Sequence, residues 1–251
     1  MFSQLASPII FGHRGASAHA PENTLAAFEL AIQQGADAIE LDAKFTADGQ
    51  VVVIHDQTVD RTTNGHGLVR NLSLAQLLKL DAGSHFDTAF SGEPIPTLDE
   101  VFEAVGTKTY INVELTNYVS PFDQLPIKVA QLVKKFGVAK RVMFSSFNPF
   151  ALLRIHRYLP EIPIGLLATP GPSGAWARSG FGRIVPYQSL HPETTDISHH
   201  LIDRVHRRGK RLYVYTVNRP EDMIHLFSMD VDGIFTDDPL LARQVLTSVG
   251  H

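Results

Sequence analysis

The chain has 251 residues, a formal net charge of −4 and no cysteine. The missing thiols exclude a disulfide framework and thiolate-bound zinc or iron–sulfur sites, and the acidic balance argues against nucleic acid as the main partner. The apolar runs are too short to span a bilayer, and residues 1–8 lack the basic-then-apolar pattern of a secretion signal; both point to a cytoplasmic protein without stable membrane insertion.

Along the chain, short apolar runs alternate with longer stretches of helical periodicity. Strands are expected at residues 9–13, 38–42, 110–115, 142–145, 164–168, 184–188, 212–217 and 233–236. Between them, Leu25, Phe28 and Ile32 share one helical face before Gly35, and Leu125, Val129, Leu132, Val133 and Phe136 share another before Gly137. Thr97 and Glu100 have capping-box spacing, and Leu201, Ile202 and Val205 form an apolar face before Gly209. Asp238-Pro239 reads as an N-cap followed by proline at the first helical position. Eight strands alternating with helices predict a (β/α)8 TIM barrel, a fold for which about 250 residues is ordinary. The Gly- and Pro-rich stretch 169–183 is expected to hold little helix.

The chain reads as one domain over 1–251, with an insertion of about residues 44–96 between the second and third strands. That segment is too long for a single helix and too poor in apolar residues for its own core. It contains a hairpin arm at 51–55 and a polar, glycine-containing stretch at 61–67, and is expected to lie over the C-terminal mouth of the barrel.

Alternation across residues 38–42 puts Ile39 and Leu41 on one face and Glu40 and Asp42 on the other. The same period turns Asn112, Glu114 and Thr116 away from Ile111, Val113 and Leu115. Three inward carboxylates repel and are poorly solvated unless a cation neutralises them. All-oxygen ligands favour Mg²⁺ or Ca²⁺. His13 ends the first strand, and His55 ends the hairpin arm. Phosphodiester cleavage needs one group to take a proton from the nucleophile and another to protonate the leaving alkoxide, work suited to histidine. Arg14 can neutralise a phosphoryl oxygen or pair with a carboxylate such as Glu40, and Gly15 allows a sharp turn beside it. Asn23 or Thr24 is read as the cap of the first helix. The other ten of the twelve histidines are read as surface or hydrogen-bonded residues.

The ordered set His13-Arg14-Gly15, Pro21-Glu22-Asn23-Thr24, Glu40-Leu41-Asp42 and His55-Asp56 resembles the glycerophosphodiester phosphodiesterase family. The likeness continues through Arg61-Thr62-Thr63-Asn64-Gly65, Asn112-Val113-Glu114 and Thr216-Val217-Asn218 to Asp232-Gly233-Ile234-Phe235-Thr236-Asp237-Asp238-Pro239. It implies a TIM barrel with the same insertion, and release of glycerol 3-phosphate from a small glycerophosphodiester. It also implies one divalent cation held by Glu40, Asp42 and Glu114, with His13 and His55 as the catalytic pair. One departure stands out: Thr116 occupies the place of a lysine found in many members of the family. Lys44 faces the same way as Glu40 and Asp42, and is expected to supply the missing phosphate contact.

Two rival functions remain. One is a phospholipase-like enzyme on the same barrel, acting on lipid headgroups and marked by an apolar rim at the mouth. The other is a non-catalytic barrel that binds phosphorylated metabolites. A zinc amidohydrolase fits poorly because the first strand lacks His-x-His.

Overall fold

The computed structural model describes residues 2–179 and 181–250. In chain order the elements are β1 (Ile9–Gly12), α1 (Leu25–Gln33), β2 (Ala38–Phe45), β3 (Val51–Val53), α2 (Leu74–Leu77), α3 (Leu98–Val105) and β4 (Tyr110–Leu115). Then come α4 (Leu125–Phe136), β5 (Val142–Ser146), α5 (Pro149–Tyr158), β6 (Ile164–Ala168), α6 (Ala175–Arg178) and β7 (Ser189–Pro192). The chain finishes with α7 (His199–His206), β8 (Arg211–Val214), α8 (Pro220–Ser228), β9 (Gly233–Thr236) and α9 (Pro239–Ser248). All strands except β3 run parallel, in the order β1-β9-β8-β7-β6-β5-β4-β2, and a β1–β2 pairing closes the ring. This is the expected (β/α)8 barrel.

Side-chain alternation sorts the core into two layers. Outward residues such as Ile10, Ile39, Leu41, Val113 and Phe144 pack under the helices in the main apolar cluster. Inward residues Ile9, Phe11, Ala38, Met143, Tyr213 and Phe235 fill the lower barrel, with Phe2 against them. Above this plug the inward positions turn polar. Fully buried His191 bonds Ser189 Oγ at 2.8 Å through Nε2 and lies against the rings of Tyr213 and Phe235. It is a buried, hydrogen-bonded residue, within the surface-or-hydrogen-bonded reading given to the histidines other than His13 and His55; His251 lies outside the described residues.

Several local readings hold. Thr97 and Glu100 form a capping box on α3, Gly137 ends α4 at φ 67°, and Asp238 caps α9 with Pro239 at its first turn. One strand is displaced. Residues 184–188 are not β: Phe181–Ile184 is a 3-10 turn, Ile184 is exposed, and the sixth barrel strand is Ser189–Pro192. The apolar run that suggested the strand contains Pro186, which cannot donate to a ladder. Val185 and Tyr187 bury their side chains in the helix layer instead.

In the insertion, β3 runs antiparallel to β2, with Val51, Val52 and Val53 opposite Phe45, Lys44 and Ala43. Val51 and Val53 join the main core. Val52, Ile54, Val59, Val69, Leu77, Ala82 and Ile95 form a small apolar cluster of their own. The segment is therefore better consolidated than its composition suggests, yet it is anchored on the barrel through β3.

Candidate active site

The parallel register sets the acidic group. Glu40 lies opposite Asn112 and Asp42 opposite Glu114 across β2 and β4. One oxygen from each of Glu40, Asp42 and Glu114 lies within 4.8 Å of the others. Burial, followed by the charges of Asp42 and Glu114, pushes the Glu40 carboxyl well above its ordinary range. Burial and Asp42 push Glu114 up to about 8. These raised values express the same frustration: three carboxylates share a dry site with too little positive charge. Tyr118 donates to Glu114 Oε1 at 2.5 Å, and among the described residues the buried Asn112 Oδ1 has no hydrogen-bond partner. Such a set of hard oxygen donors fits a divalent cation.

At the end of β1 the chain turns sharply. Arg14 and Gly15 adopt φ of 54° and 89°, and a Cβ on Gly15 would meet the Ala27 backbone at 2.6 Å. Arg14 is held in this costly conformation from both sides. Its N–H donates to Glu40 Oε2 at 3.0 Å, and its carbonyl accepts from Asn23 N–H at 2.9 Å. The guanidinium bonds Glu22 at 3.0 Å and lies 3.5 Å from Asp42. Burial alone would lower its pKa; Asp42, Glu22 and Glu40 more than offset this. The contact of Arg14 with Glu40 is thus through the backbone, and the side chain serves other carboxylates. Thr24 caps α1, as one of the two residues suggested for that place. Asn23 instead donates to Asp42 Oδ2 at 2.9 Å.

Each histidine at the mouth has a carboxylate on Nδ1. His13 donates to Asp237 Oδ1 at 2.7 Å, and Ser17 and Asn218 donate to the same carboxylate. Burial would raise the Asp237 pKa, but these hydrogen bonds bring it down. His55 donates to Asp56 Oδ1 at 2.8 Å. Arg61 bonds both oxygens of Asp56 and both of Glu22, and its hydrogen bonds take Asp56 down to about 2. In both histidines Nδ1 is engaged, so Nε2 is the nitrogen left for chemistry.

A cavity of about 230 Å³ brings these groups together; its lining includes His13, Arg14, Glu40, Asp42, His55 and Glu114. Phe147, Tyr215 and Phe235 add an aromatic wall and floor. Of the residues anticipated from sequence, Lys44 alone does not line it. Its buried Nζ donates to Thr116 Oγ1 at 3.0 Å, in a smaller cleft that also touches Arg70. Burial lowers its pKa, partly offset by Asp42, Glu114 and Asp56.

A family model described as the glycerophosphoryl diester phosphodiesterase family matches residues 13–241. The chain belongs to that family. A glycerophosphodiester phosphodiesterase from Caldanaerobacter subterraneus subsp. tengcongensis is 43% identical over 232 residues, covering 92% of this chain and 94% of that protein. Among solved structures, the phosphodiesterase of Oleispira antarctica, in complex with the product sn-glycerol-3-phosphate, superposes with a TM-score of 0.85 at 29% identity. The match covers 96% of this chain and 97% of the other. The Agrobacterium tumefaciens glycerophosphodiester phosphodiesterase gives 0.81 at 33% identity, covering 94% and 99%. Membership of the phosphodiesterase family makes this chain an enzyme.

Asp237, Glu22 and Arg61 join the family's motif residues here without having been assigned a role from sequence. Asp237 is 224 positions from His13, and no local pattern pairs them. Arg61 and Glu22 lie 39 positions apart. Only Asp56, adjacent to His55, carried a local signal.

Proposed function

We propose that the protein is a metal-dependent hydrolase of glycerophosphodiesters, releasing glycerol 3-phosphate and an alcohol by two-histidine acid–base catalysis. The observation that carries this reading is one small cavity lined by two carboxylate-backed histidines, an arginine and an acidic triad of which Glu40 and Asp42 are buried and Glu114 partly so. Glu40, Asp42 and Glu114 would hold one Mg²⁺ or Ca²⁺, with Asn112 Oδ1 a further oxygen on the same wall. When bound, the cation supplies Lewis-acid polarisation of the phosphoryl group or nucleophile.

The rest is done by the chain itself. Arg14, fixed by Glu22 and its own backbone, offsets charge on a phosphoryl oxygen. Lys44 adds positive charge beside Asp42 and Glu114, compensating in part for the lysine absent at Thr116. In-line displacement puts nucleophile and leaving oxygen on opposite sides of phosphorus, so two proton carriers are needed. His13 comes from the barrel and His55 from the insertion. Among the described residues, the other side chains bonded to the Asp237 carboxylate are the neutral donors Ser17 and Asn218, so it keeps its full charge for the imidazolium formed when a base takes a proton. Asp56 shares its charge with Arg61. On this difference His13 is assigned as base and His55 as acid in the first step.

The test is a glycerol 3-phosphate release assay over several glycerophosphodiesters, with and without chelator and with metal add-back. Turnover that is lost on chelation and restored by Mg²⁺ or Ca²⁺ is expected. Full activity in metal-free protein would sink the metal role, and no turnover of any glycerophosphodiester would sink the function. Among the described residues no helix is long and apolar enough to cross a membrane.

A further inference from the structure

We infer that the enzyme favours glycerophosphodiesters whose headgroup carries a carboxylate, held by Arg70 and Lys44 in a cleft that opens on the His55 side of the mouth. This rests on the phosphodiesterase reading above and names a substrate class for it. The cleft, of about 50 Å³, is lined by Lys44, Gln57, Arg70, Thr116, Asn117 and Asp123 among others. Three of these stand two residues beyond groups that line the catalytic cavity: Lys44 after Asp42, Thr116 after Glu114 and Gln57 after His55. Asp42 and Glu114 face each other across β2 and β4. A step of two keeps a side chain on the same side of an extended strand, about 7 Å further along. The cleft is therefore one step further out than the acidic triad. The charges of Asp42, Glu114 and Asp56 all reach Lys44.

Both walls are fixed from behind. On the insertion, Val69 N–H donates to the Gln57 carbonyl at 3.0 Å, and the 3-10 turn Val69–Asn71 that carries Arg70 is anchored by fully buried Val69. Opposite it, Asn117 Nδ2 donates to Asp123 Oδ1 at 3.0 Å, and the same oxygen accepts from Leu125 N–H. Between the walls, Thr116 gives its hydroxyl proton to the Ala43 carbonyl at 2.7 Å, so its Oγ1 can only accept from Lys44, at 3.0 Å. An ammonium has three protons, and among the described residues Lys44 places that one alone. The Arg70 guanidinium has no ion pair or hydrogen bond among the described residues. Both cations thus keep unspent N–H donors, and the arginine fork matches the two oxygens of a carboxylate.

Orientation and charge select the occupant. His55 is assigned as the acid that protonates the leaving alkoxide, so the headgroup, not the glycerol, departs beside Gln57 and the cleft. Among the described residues lining the cleft, Asp123 is the one carboxylate, set against two cations. The balance is positive and favours an anionic end over a purely cationic one. The cleft is far smaller than the roughly 300–1,000 Å³ typical of pockets that enclose a whole ligand, which restricts it to the end of a headgroup. The products are then glycerol 3-phosphate and a hydroxy acid.

The experiment compares three headgroups: serine, 3-hydroxypropionate, which lacks the ammonium of serine, and ethanolamine, which lacks its carboxylate. For the wild type at low salt, kcat/KM on both carboxylate substrates is expected to exceed that on the ethanolamine substrate by about five- to tenfold. Arg70→Gln should remove most of that advantage, through KM rather than kcat, while turning over the ethanolamine substrate as the wild type does. A merely structural role of Arg70 would lower all three alike. That result, or a wild type that handles the ethanolamine substrate as well as the other two, overturns the inference and leaves the phosphodiesterase reading standing. A preference for the serine substrate that the 3-hydroxypropionate substrate does not share belongs to the ammonium and overturns it too. No turnover of these or any other glycerophosphodiester overturns both.

Discussion

Replacing Glu114 by Gln separates folding from function at the acidic triad. In the metal-free protein the Glu114 carboxyl sits at about 8 against its ordinary 4.5, because it is buried beside Asp42. A group whose folded pKa is raised contributes fully below the unfolded value and loses that contribution as pH rises through the folded one. The window here runs from 4.5 to about 8. Each pH unit inside it costs about 1.4 kcal/mol, which gives roughly 3 kcal/mol by pH 7 and about 5 kcal/mol across the whole window. Glu114→Gln keeps the shape and removes the titration, so chelated variant should outlast chelated wild type by up to about 3 kcal/mol near pH 7. The figure is an upper bound, since Glu40 and Asp42 share the same charge balance. Adding Mg²⁺ or Ca²⁺ at about 100 times its dissociation constant should stabilise wild type by about 2.7 kcal/mol and the variant far less. Urea denaturation in chelator at about pH 5, 7 and 8.5, repeated with metal, measures both effects. The reasoning is refuted if the gap between variant and wild type does not widen with pH, or if the chelated variant is the less stable protein throughout.

His13→Ala and His55→Ala should each reduce kcat by about 10²–10⁴ with cation binding intact. A good leaving group should rescue only the variant lacking the acid, expected to be His55→Ala, and near-normal turnover in either would refute the pair. Lys44→Ala should lower turnover by about tenfold or more, since roughly 1.4 kcal/mol of lost transition-state stabilisation suffices for that; a loss no larger than that of an exposed lysine counts against its charge reaching the phosphate. Burial depresses the His191 pKa from 6.5 to about 3, so its contribution is complete above pH 6.5 and is lost as pH falls towards 3. Acid should therefore remove up to about 5 kcal/mol through this residue, and His191→Gln should flatten that part of the stability profile; an unchanged profile would show that another group sets it.

How much was legible depended on the distance over which each signal acts. The alternation in residues 38–42 and 110–115 turned Glu40, Asp42 and Glu114 inward, and the structure agrees because a period of two is a local property. Caps at Thr97 and Asp238 were readable for the same reason. The sixth barrel strand was not. Its inward residues are Ser189 and His191, so Ser189–Pro192 shows little apolar pattern, whereas the neighbouring run around Val185 and Tyr187 does. Partners across long sequence separations were equally silent. Nothing near His13 announces Asp237, and nothing near Glu22 announces Arg61, because barrel closure and the insertion create both contacts.

Those two silent contacts explain why the insertion belongs to the site. His55 is carried on a short arm and would be poorly fixed by β3 alone, which pairs with β2 over only three residues. Arg61 supplies the missing restraint. It grips Asp56, which holds His55, and also Glu22, which holds Arg14. The chain His55–Asp56–Arg61–Glu22–Arg14 therefore ties the histidine on the insertion to the arginine on the barrel. From Asp56 to Arg14 the charges alternate in sign, every link includes a carboxylate and is charge-assisted, and each carboxylate is shared between two donors. Asp237, by contrast, is set in the barrel's own wall after β9 and needs no such bracing; β1 and β9 pair directly and bring His13 to it. The two histidines are thus positioned by different means suited to their supports, one by strand register and the other by an ion-pair chain.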